Sequence, residues 1–296
     1  MFFTKKDRIA LTEFSCVITV LLATLIASQS LAALTDRPVN LSAESYVVIK
    51  HGSGKHAQTS GEKTILAHNE NKSRSIASLS KLFAAVVVSR NHFDPSETIV
   101  TNREDHQVGL GGSRTRLELN WTYRTIDLLY AALIASDNRA VSAIGRSVGL
   151  PPHKLTKAMN QLAKQVGLSQ THFEDPVGIN PNNRSTAKEV AKITQIAAQV
   201  ALLRKVMSTA ERYVIPVKGY INVNYRNTNP EVHNPKQARF LASKTGYNSN
   251  AGYCLAATVH IGHATYTYVI LGSGSKYERI LDQRKIIKYL SRRAQN

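Results

Sequence analysis

The pattern of apolar and polar positions divides the chain into three stretches of different character. Ser45 to Lys50 (SYVVIK) is β-branched and predicts a strand, His51-Gly-Ser-Gly54 a turn, and Lys63 to His68 (KTILAH) the return strand of a hairpin. Leu79 to Arg90 places apolar residues at 79, 82, 83, 86 and 87, which is helical spacing. The run Val86-Val87-Val88 leans towards a strand, but Ala84-Ala85 and the length of the segment predict a buried helix. Thr125 to Ala135 predicts a helix with Asp127 in its first turn. Arg139 to Val148 and Lys154 to Val166 predict two more, closed by Gly149 and Gly167. Thr186-Ala-Lys-Glu189 has the form of a capping box opening another.

From Ala238 the period changes to that of strands. Ala238 to Lys244, Tyr253 to Ile261 and Thr265 to Leu271 predict an antiparallel meander with Gly246, Gly252 and Gly262 at its junctions. Tyr277 to Arg293 predicts a basic amphipathic helix. Strands from both ends are expected to share one sheet, covered by the first and last helices. The expected fold class is α+β: an antiparallel sheet flanked by helices, plus an all-helical lobe and a cleft between them. Residues 33–296 are read as one catalytic domain, its sheet lobe about 40–90 and 210–296 and its helical lobe about 91–209.

The N-terminus changes the picture. Lys5, Lys6 and Arg8 precede an apolar stretch from Val17 to Ala27, and Ser30-Leu31-Ala32 is a small-x-small pattern. This reads as an export signal over residues 1–32, cleaved after Ala32. A retained anchor would need a longer apolar run, about 20 residues. Cys16 leaves with the signal, so Cys254 is left without an internal disulfide partner. The formal charge is +18, and the signal accounts for almost none of it. Such charge favours an anionic partner. An exported chain without a nucleic-acid motif points to a wall polymer rather than nucleic acid.

Candidate chemistry begins at Ser78-Leu-Ser-Lys81. On a helix, positions i and i+3 share a face, so the Lys81 amine can approach the Ser78 hydroxyl. A desolvated lysine beside a cationic neighbour can take that proton. Ser60-x-x-Lys63, Ser185-x-x-Lys188 and Ser273-x-x-Lys276 match the same pattern, but only Ser78 is followed by a long apolar helix. Ser60 and Ser273 fall in turns, and a capping role suits Ser185. Ser136-Asp137-Asn138 adds a hydroxyl and an amide in a short loop. Lys244-Thr245-Gly246 adds a cation and a hydroxyl at a strand end, and Gly246 admits a close backbone approach.

This ordered set is the signature of penicillin-binding proteins and serine β-lactamases. Ile76 to Leu82, Phe173-Glu-Asp-Pro-Val-Gly178, Ser185-Thr-Ala187, Arg226-Asn-Thr-Asn229 and Lys244 to Leu255 resemble the low-molecular-mass D-alanyl-D-alanine peptidases, over roughly Ser45 to Leu290. The resemblance is strongest to their short endopeptidase branch. It implies a serine β-lactamase/penicillin-binding transpeptidase-like fold and a periplasmic enzyme that cuts D-alanyl cross-links of peptidoglycan without a cofactor or metal. By likeness, Ser78 is the nucleophile and Lys81 its base. Ser136 and Lys244 relay the proton to the leaving amine, and Asn138 holds the peptide. Thr245 and Arg279 bind a carboxylate. The oxyanion meets the backbone N–H of Ser78 and of Tyr247, beside Gly246. β-Lactams are implied as covalent inhibitors, with a long-lived adduct because no Glu-x-x-Leu-Asn pattern follows Phe173. The branch often reads Ser-Glu-Asn, and Asp137 is taken as the position free to vary. The chain stops about fifty residues after Lys244, which leaves no expected room for the C-terminal domain of the longer carboxypeptidases.

Carboxypeptidase activity, and a catalytically silent wall-binding or penicillin-sensing module, stay open as alternatives. His260-x-x-His263 reads as a solvated turn rather than a metal site, and Gly272 to Lys276 as a turn rather than a phosphate loop. Tyr220 and Tyr225 beside Arg226 read as a packed hairpin before a sugar platform. The terminal basic helix packs one face on the sheet and leaves another that can touch a membrane peripherally.

Overall fold

The computed structural model describes residues 39–52, 61–112, 115–219 and 221–294. The proposed signal, Ser60 and Tyr220 lie outside them. The chain enters through strands β1 (Ser45–Lys50) and β2 (Lys63–His68). Strand β3 (Arg74–Ser75) leads into a 3₁₀ turn at Ala77–Leu79 and helix α1 (Ser80–Ser89). Then come β4 (Thr98–Val100), α2 (Arg103–Gly109), β5 (Thr122–Arg124), α3 (Thr125–Ile134), α4 (Asn138–Ser147) and α5 (Pro152–Gln165). Next are β6 (Arg184–Ser185), α6 (Ala187–Gln199), α7 (Ala201–Met207) and a hairpin of β7 (Glu211–Val214) with β8 (Val223–Arg226). The meander β9 (Arg239–Asn248), β10 (Gly252–Ile261) and β11 (Ala264–Ser273) precedes α8 (Lys276–Ala294).

Five strands form one antiparallel sheet in the order β2-β1-β11-β10-β9, so the two ends of the chain do meet in it. Strand alternation sorts its side chains between two cores. On β11, Tyr266, Tyr268 and Ile270 face Ile286, Ile287 and Leu290 of α8. Val269 and Leu271 face the larger core beneath the helices.

The covering of the sheet differs from expectation on one side. The inner face is covered by α6, whereas α1 is enclosed by α3, α4, α5 and α6. The reason lies in the composition of α1: Ser80 to Val88 are all buried, so it has no polar face to give to solvent. The same burial overrides the strand preference of its valine run.

Some local signals resolve differently as well. Thr186 accepts from the Glu189 N–H, but the Glu189 carboxylate turns to Gln170 and Thr171, so only half of the capping box forms. Ser185 is no cap: it lies in β6, its hydroxyl against Thr171. Gly246 is not a junction. It sits inside β9 opposite Cys254, and the strand continues to Asn248.

The 3₁₀ turn at Ala77–Leu79 is packed between two backbones. A Cβ on Gly178 would lie 1.9 Å from the Ala77 carbonyl oxygen, and φ there is +89°. A Cβ on Gly246 would lie 3.0 Å from the Ile76 oxygen and 3.2 Å from the Ser78 nitrogen. Gly149 has a similar φ of +74° but open space around it. Gly149→Ala is therefore expected to lower unfolding free energy by about 1 kcal/mol, from left-handed strain alone. Gly178→Ala should lower it by about 3 kcal/mol, because overpacking adds to the strain. Equal losses for the two variants in urea unfolding would show that the approach at Gly178 is not rigid.

Candidate active site

The turn carrying Ser78 is held in a strained conformation by hydrogen bonds from an adjoining loop. Ala77 has φ +46°, a left-handed value that costs a residue with a Cβ about 1 kcal/mol or more. The Ser80 hydroxyl donates to the Ala77 carbonyl at 2.8 Å. Asn183 Nδ2 donates to Ser80 Oγ at 3.0 Å and to the Asp175 carbonyl at 2.8 Å. The Asp175 carboxylate gathers the N–H groups of Val177, Gly178 and Asn180 at 2.6–2.7 Å. Neither Asp175 nor Asn183 was singled out for a role by the sequence. The bridging Asn183 looks in sequence like any loop asparagine.

Lys81 rises one turn after Ser78. Its Nζ is buried, 2.9 Å from Ser78 Oγ and 2.6 Å from the Val177 carbonyl. Burial lowers its pKa to about 7, against the opposing pull of Asp175 and Asp137. Lys244 is buried too and donates to the Thr245 carbonyl at 2.8 Å. Burial, then Lys81 and Arg279, hold its ammonium well below the usual lysine range. With a pKa of about 7, Lys81 can be neutral near pH 7, and a neutral amine 2.9 Å from a hydroxyl can accept its proton.

Ser136 and Asn138 form the opposite wall. Ser136 has φ +66° and is buried, and its Oγ has no partner; nor has Asn138 Oδ1. Two orphaned polar atoms at a cleft point towards a ligand. Asn138 opens α4 rather than lying in a loop, and Asp137 is the cap, accepting from the Ala140 N–H at 3.1 Å. Asp137 is not a free position. Its carboxylate is buried and accepts the hydroxyls of Thr115 and Tyr225, each at 2.9 Å. It fixes the strained loop between Ser136 and Asn138. Tyr225 packs inside the hairpin region, and its hydroxyl pKa is raised by burial and by Asp137.

The third wall is β9. Thr245 Oγ1 donates to Thr228 Oγ1 at 2.6 Å. Tyr247 is exposed, its ring 4.3 Å from that of Tyr253. Arg279 is no surface residue: it is buried, with Nη1 3.4 Å from the Gly246 carbonyl and 3.3 Å from that of Cys254. The Cys254 thiol, buried, is pushed up to about 11 and is no nucleophile at neutral pH.

These walls enclose a cleft of about 670 Å³. Ser78, Ser136, Asn138, Thr245, Gly246, Tyr247 and Arg279 line it, with Gly178, Ile179 and Thr228. Lys81 and Lys244 lie just behind its surface. The rival Ser-x-x-Lys serines are elsewhere in the described residues: Ser185 in β6 and Ser273 at the end of β11. His260 bonds Thr265 at the β10–β11 turn, and the described residues hold no cluster of three metal-ligating side chains.

Such a cleft, with a serine and a buried lysine between a sheet and a helical body, defines a serine peptidase of the penicillin-binding DD-peptidase fold. The crystal structure of a Streptomyces DD-transpeptidase shares that fold, with TM-score 0.75 at 24% identity over 86% of this chain and 98% of that one. The family model described as D-alanyl-D-alanine carboxypeptidase, peptidase family S11, matches residues 32–275, and the chain belongs to this family. Several relatives are named D-alanyl-D-alanine endopeptidase, among them the following two. That of Escherichia coli is 26% identical over 95% of this chain and 87% of its own length. That of Pseudomonas aeruginosa is 26% identical over 77% and 73%. A D-alanyl-D-alanine carboxypeptidase of Bacillus subtilis is 24% identical over 83% of this chain and 61% of its own.

The lowered pKa of Lys81 makes a stability prediction. Between pH about 7 and 10.5 the unfolded lysine keeps its proton and the folded one has lost it. Folding then releases a proton, so stability rises with pH in that window and is flat below it. The advantage of Lys81→Met over the wild type in urea unfolding should be largest below pH 7 and shrink as pH rises. A constant difference would place the Lys81 pKa near its ordinary value.

Proposed function

We propose that the protein is a serine D,D-endopeptidase that hydrolyses D-alanyl cross-links of peptidoglycan through an acyl-Ser78 intermediate. The observation that carries this is the 2.9 Å contact of Ser78 with a buried Lys81 whose pKa is lowered to about 7. Lys81 takes the Ser78 proton as Oγ bonds to the D-alanyl carbonyl carbon. The backbone N–H groups of Ser78 and Tyr247 receive the oxyanion. As the carbon–nitrogen bond breaks, the proton passes by way of Ser136 and Lys244 to the leaving amine. Water then hydrolyses the ester and regenerates Ser78. Asn138, whose Oδ1 lacks a partner, holds the substrate backbone. Thr245 and Arg279 receive the carboxylate of the leaving residue, while Gly246, which lines the cleft, lets the Ser78 turn approach β9.

In this reading residues 33–296 act as one catalytic domain. The sheet lobe supplies Lys244 and Thr245, and the helical lobe Ser136 and Asn138. The leader pattern of residues 1–32 supports export to the periplasm. Among the described residues no helix is long and apolar enough to cross a membrane. The exposed face of α8 carries Arg284, Lys285, Lys288 and Arg292, where a peripheral contact with an anionic membrane surface would be made.

The two endopeptidases support the choice of substrate, and the Bacillus subtilis relative supports trimming of terminal D-Ala as the second reading. β-Lactams present an acyl group of the same kind and should acylate Ser78. A fluorescent penicillin is expected to label the wild type, to leave Ser78→Ala unlabelled, and to react faster as pH rises through about 7, the Lys81 value. An unlabelled wild type would favour a silent wall-binding module. Purified cross-linked dimers should be cut to monomers; loss of D-Ala from pentapeptides alone would sink the endopeptidase choice.

A further inference from the structure

The segment Arg226–Asn229 ties the walls of the cleft together, and one of its side chains is not used up in doing so. Asn227 Nδ2 donates to the carbonyls of Met207 and Thr209, at 3.3 and 3.0 Å, where α7 ends. The Thr228 N–H donates to the Ile134 carbonyl at 2.8 Å, at the end of α3 and just before Ser136. Asn229 exchanges two bonds of 3.0 Å with Gln283 of α8 and donates to Ser243 Oγ at 2.8 Å, beside Lys244. The Thr228 hydroxyl is placed differently. It is half-buried at the cleft surface and accepts the Thr245 hydroxyl at 2.6 Å. A hydroxyl that accepts in this way keeps its own proton to give.

We propose that Thr228 is the second hydroxyl donor of the subsite that takes the carboxylate of the leaving residue, side by side with Thr245. The proposal rests on the acyl-enzyme reading above and adds a specificity residue to it. A carboxylate has two oxygens and only accepts. Two hydroxyl oxygens 2.6 Å apart are spaced to serve one carboxylate oxygen each. In the empty cleft the Thr245 proton is directed at Thr228. An arriving carboxylate draws that proton away, and Thr228 donates beside it. Arg279, lining the same cleft, adds positive charge to both bonds. A ligand whose carboxylate is esterified keeps only a neutral carbonyl acceptor and loses the charge-assisted part of both bonds. Thr228 therefore selects for a free carboxylate next to the scissile bond and leaves the reactivity of Ser78 untouched.

The alternative is that Thr228 only holds Thr245 in place. A chemical cycle separates the two. Acylation of wild type, Thr228→Val and Thr228→Ser is measured with a penicillin bearing its free carboxylate and with the methyl ester of the same penicillin. The concentration for half-maximal rate and the maximal rate are taken separately. Thr228→Val should slow the carboxylate ligand about tenfold through the half-maximal concentration, the weight of one hydrogen bond to a charged group. The ester should slow less than about twofold, and Thr228→Ser should restore the carboxylate preference. An equal loss with both ligands, or none with the carboxylate, overturns the proposal. If Thr228→Val folds poorly by its melting temperature, Thr228→Ala against Thr228→Ser makes the same comparison. Acylation of every variant at one rate sinks Thr228 alone. A wild type that neither ligand acylates sinks the acyl-enzyme reading, and Thr228 with it.

Discussion

The active site depends on the absence of room around one turn. The backbone of Ile76 to Ser78 is held between the loop at Gly178 and the strand at Gly246, close enough that a methyl group fits on neither glycine without displacement. This contact sets where Ser78 stands against β9, and the proposed use of the Ser78 and Tyr247 N–H groups for an incoming carbonyl depends on it. It also explains how Ala77 persists at φ +46°. The surrounding hydrogen bonds of Ser80, Asn183 and Asp175 over-determine the conformation. The strain is held by neighbours that themselves have little freedom to move.

The same packing sets the electrostatics. Lys81 and Lys244 are buried behind a cleft that Arg279 lines; burial lowers the pKa of both lysines, and for Lys244 the charges of Lys81 and Arg279 add to it. Arg279 keeps its proton best, being the strongest base of the three. The lysines yield instead, and Asp175 and Asp137 keep Lys81 from falling further. Each aspartate also carries a structural duty, one folding the loop over Ser78 and the other capping α4 behind Ser136. The same two carboxylates therefore shape the loops and temper the effect of burial on Lys81.

Much of this was legible in the sequence, and the exceptions share a cause. The elements were readable where one period persists, as in α3, α8 and the strands of the meander. Ser78, Ser136 and Lys244 each sit in a short pattern of restricted chemistry, and the structure brings the three patterns to one cleft. Asp137 was misread as free because its partners, Thr115 and Tyr225, lie 22 and 88 residues away and no local pattern joins them. Gly246 was read as a strand end because glycine ordinarily breaks strands; here it lies inside β9 where the turn carrying Ser78 approaches closely. The enclosure of α1 was hidden because an apolar helix declares that it is buried but not by what.

The segment from Asn227 to Asn229 draws these strands of argument together. Its three consecutive residues reach α7, α3 and α8, and through Ser243 they reach the strand that bears Lys244. The distance between the Ser136 wall and the Thr245 wall is thereby fixed by one stretch of backbone rather than by two lobes packing independently. In the proposed mechanism, walls tied by these bonds need not be assembled by substrate. Binding energy from the leaving residue can then go into orientation, which is where a reaction with fixed donors and a fixed nucleophile gains most. In the proposed mechanism, recognition of that residue falls to Thr228, Thr245 and Arg279 and reactivity to Ser78 and Lys81, which are different side chains on one frame.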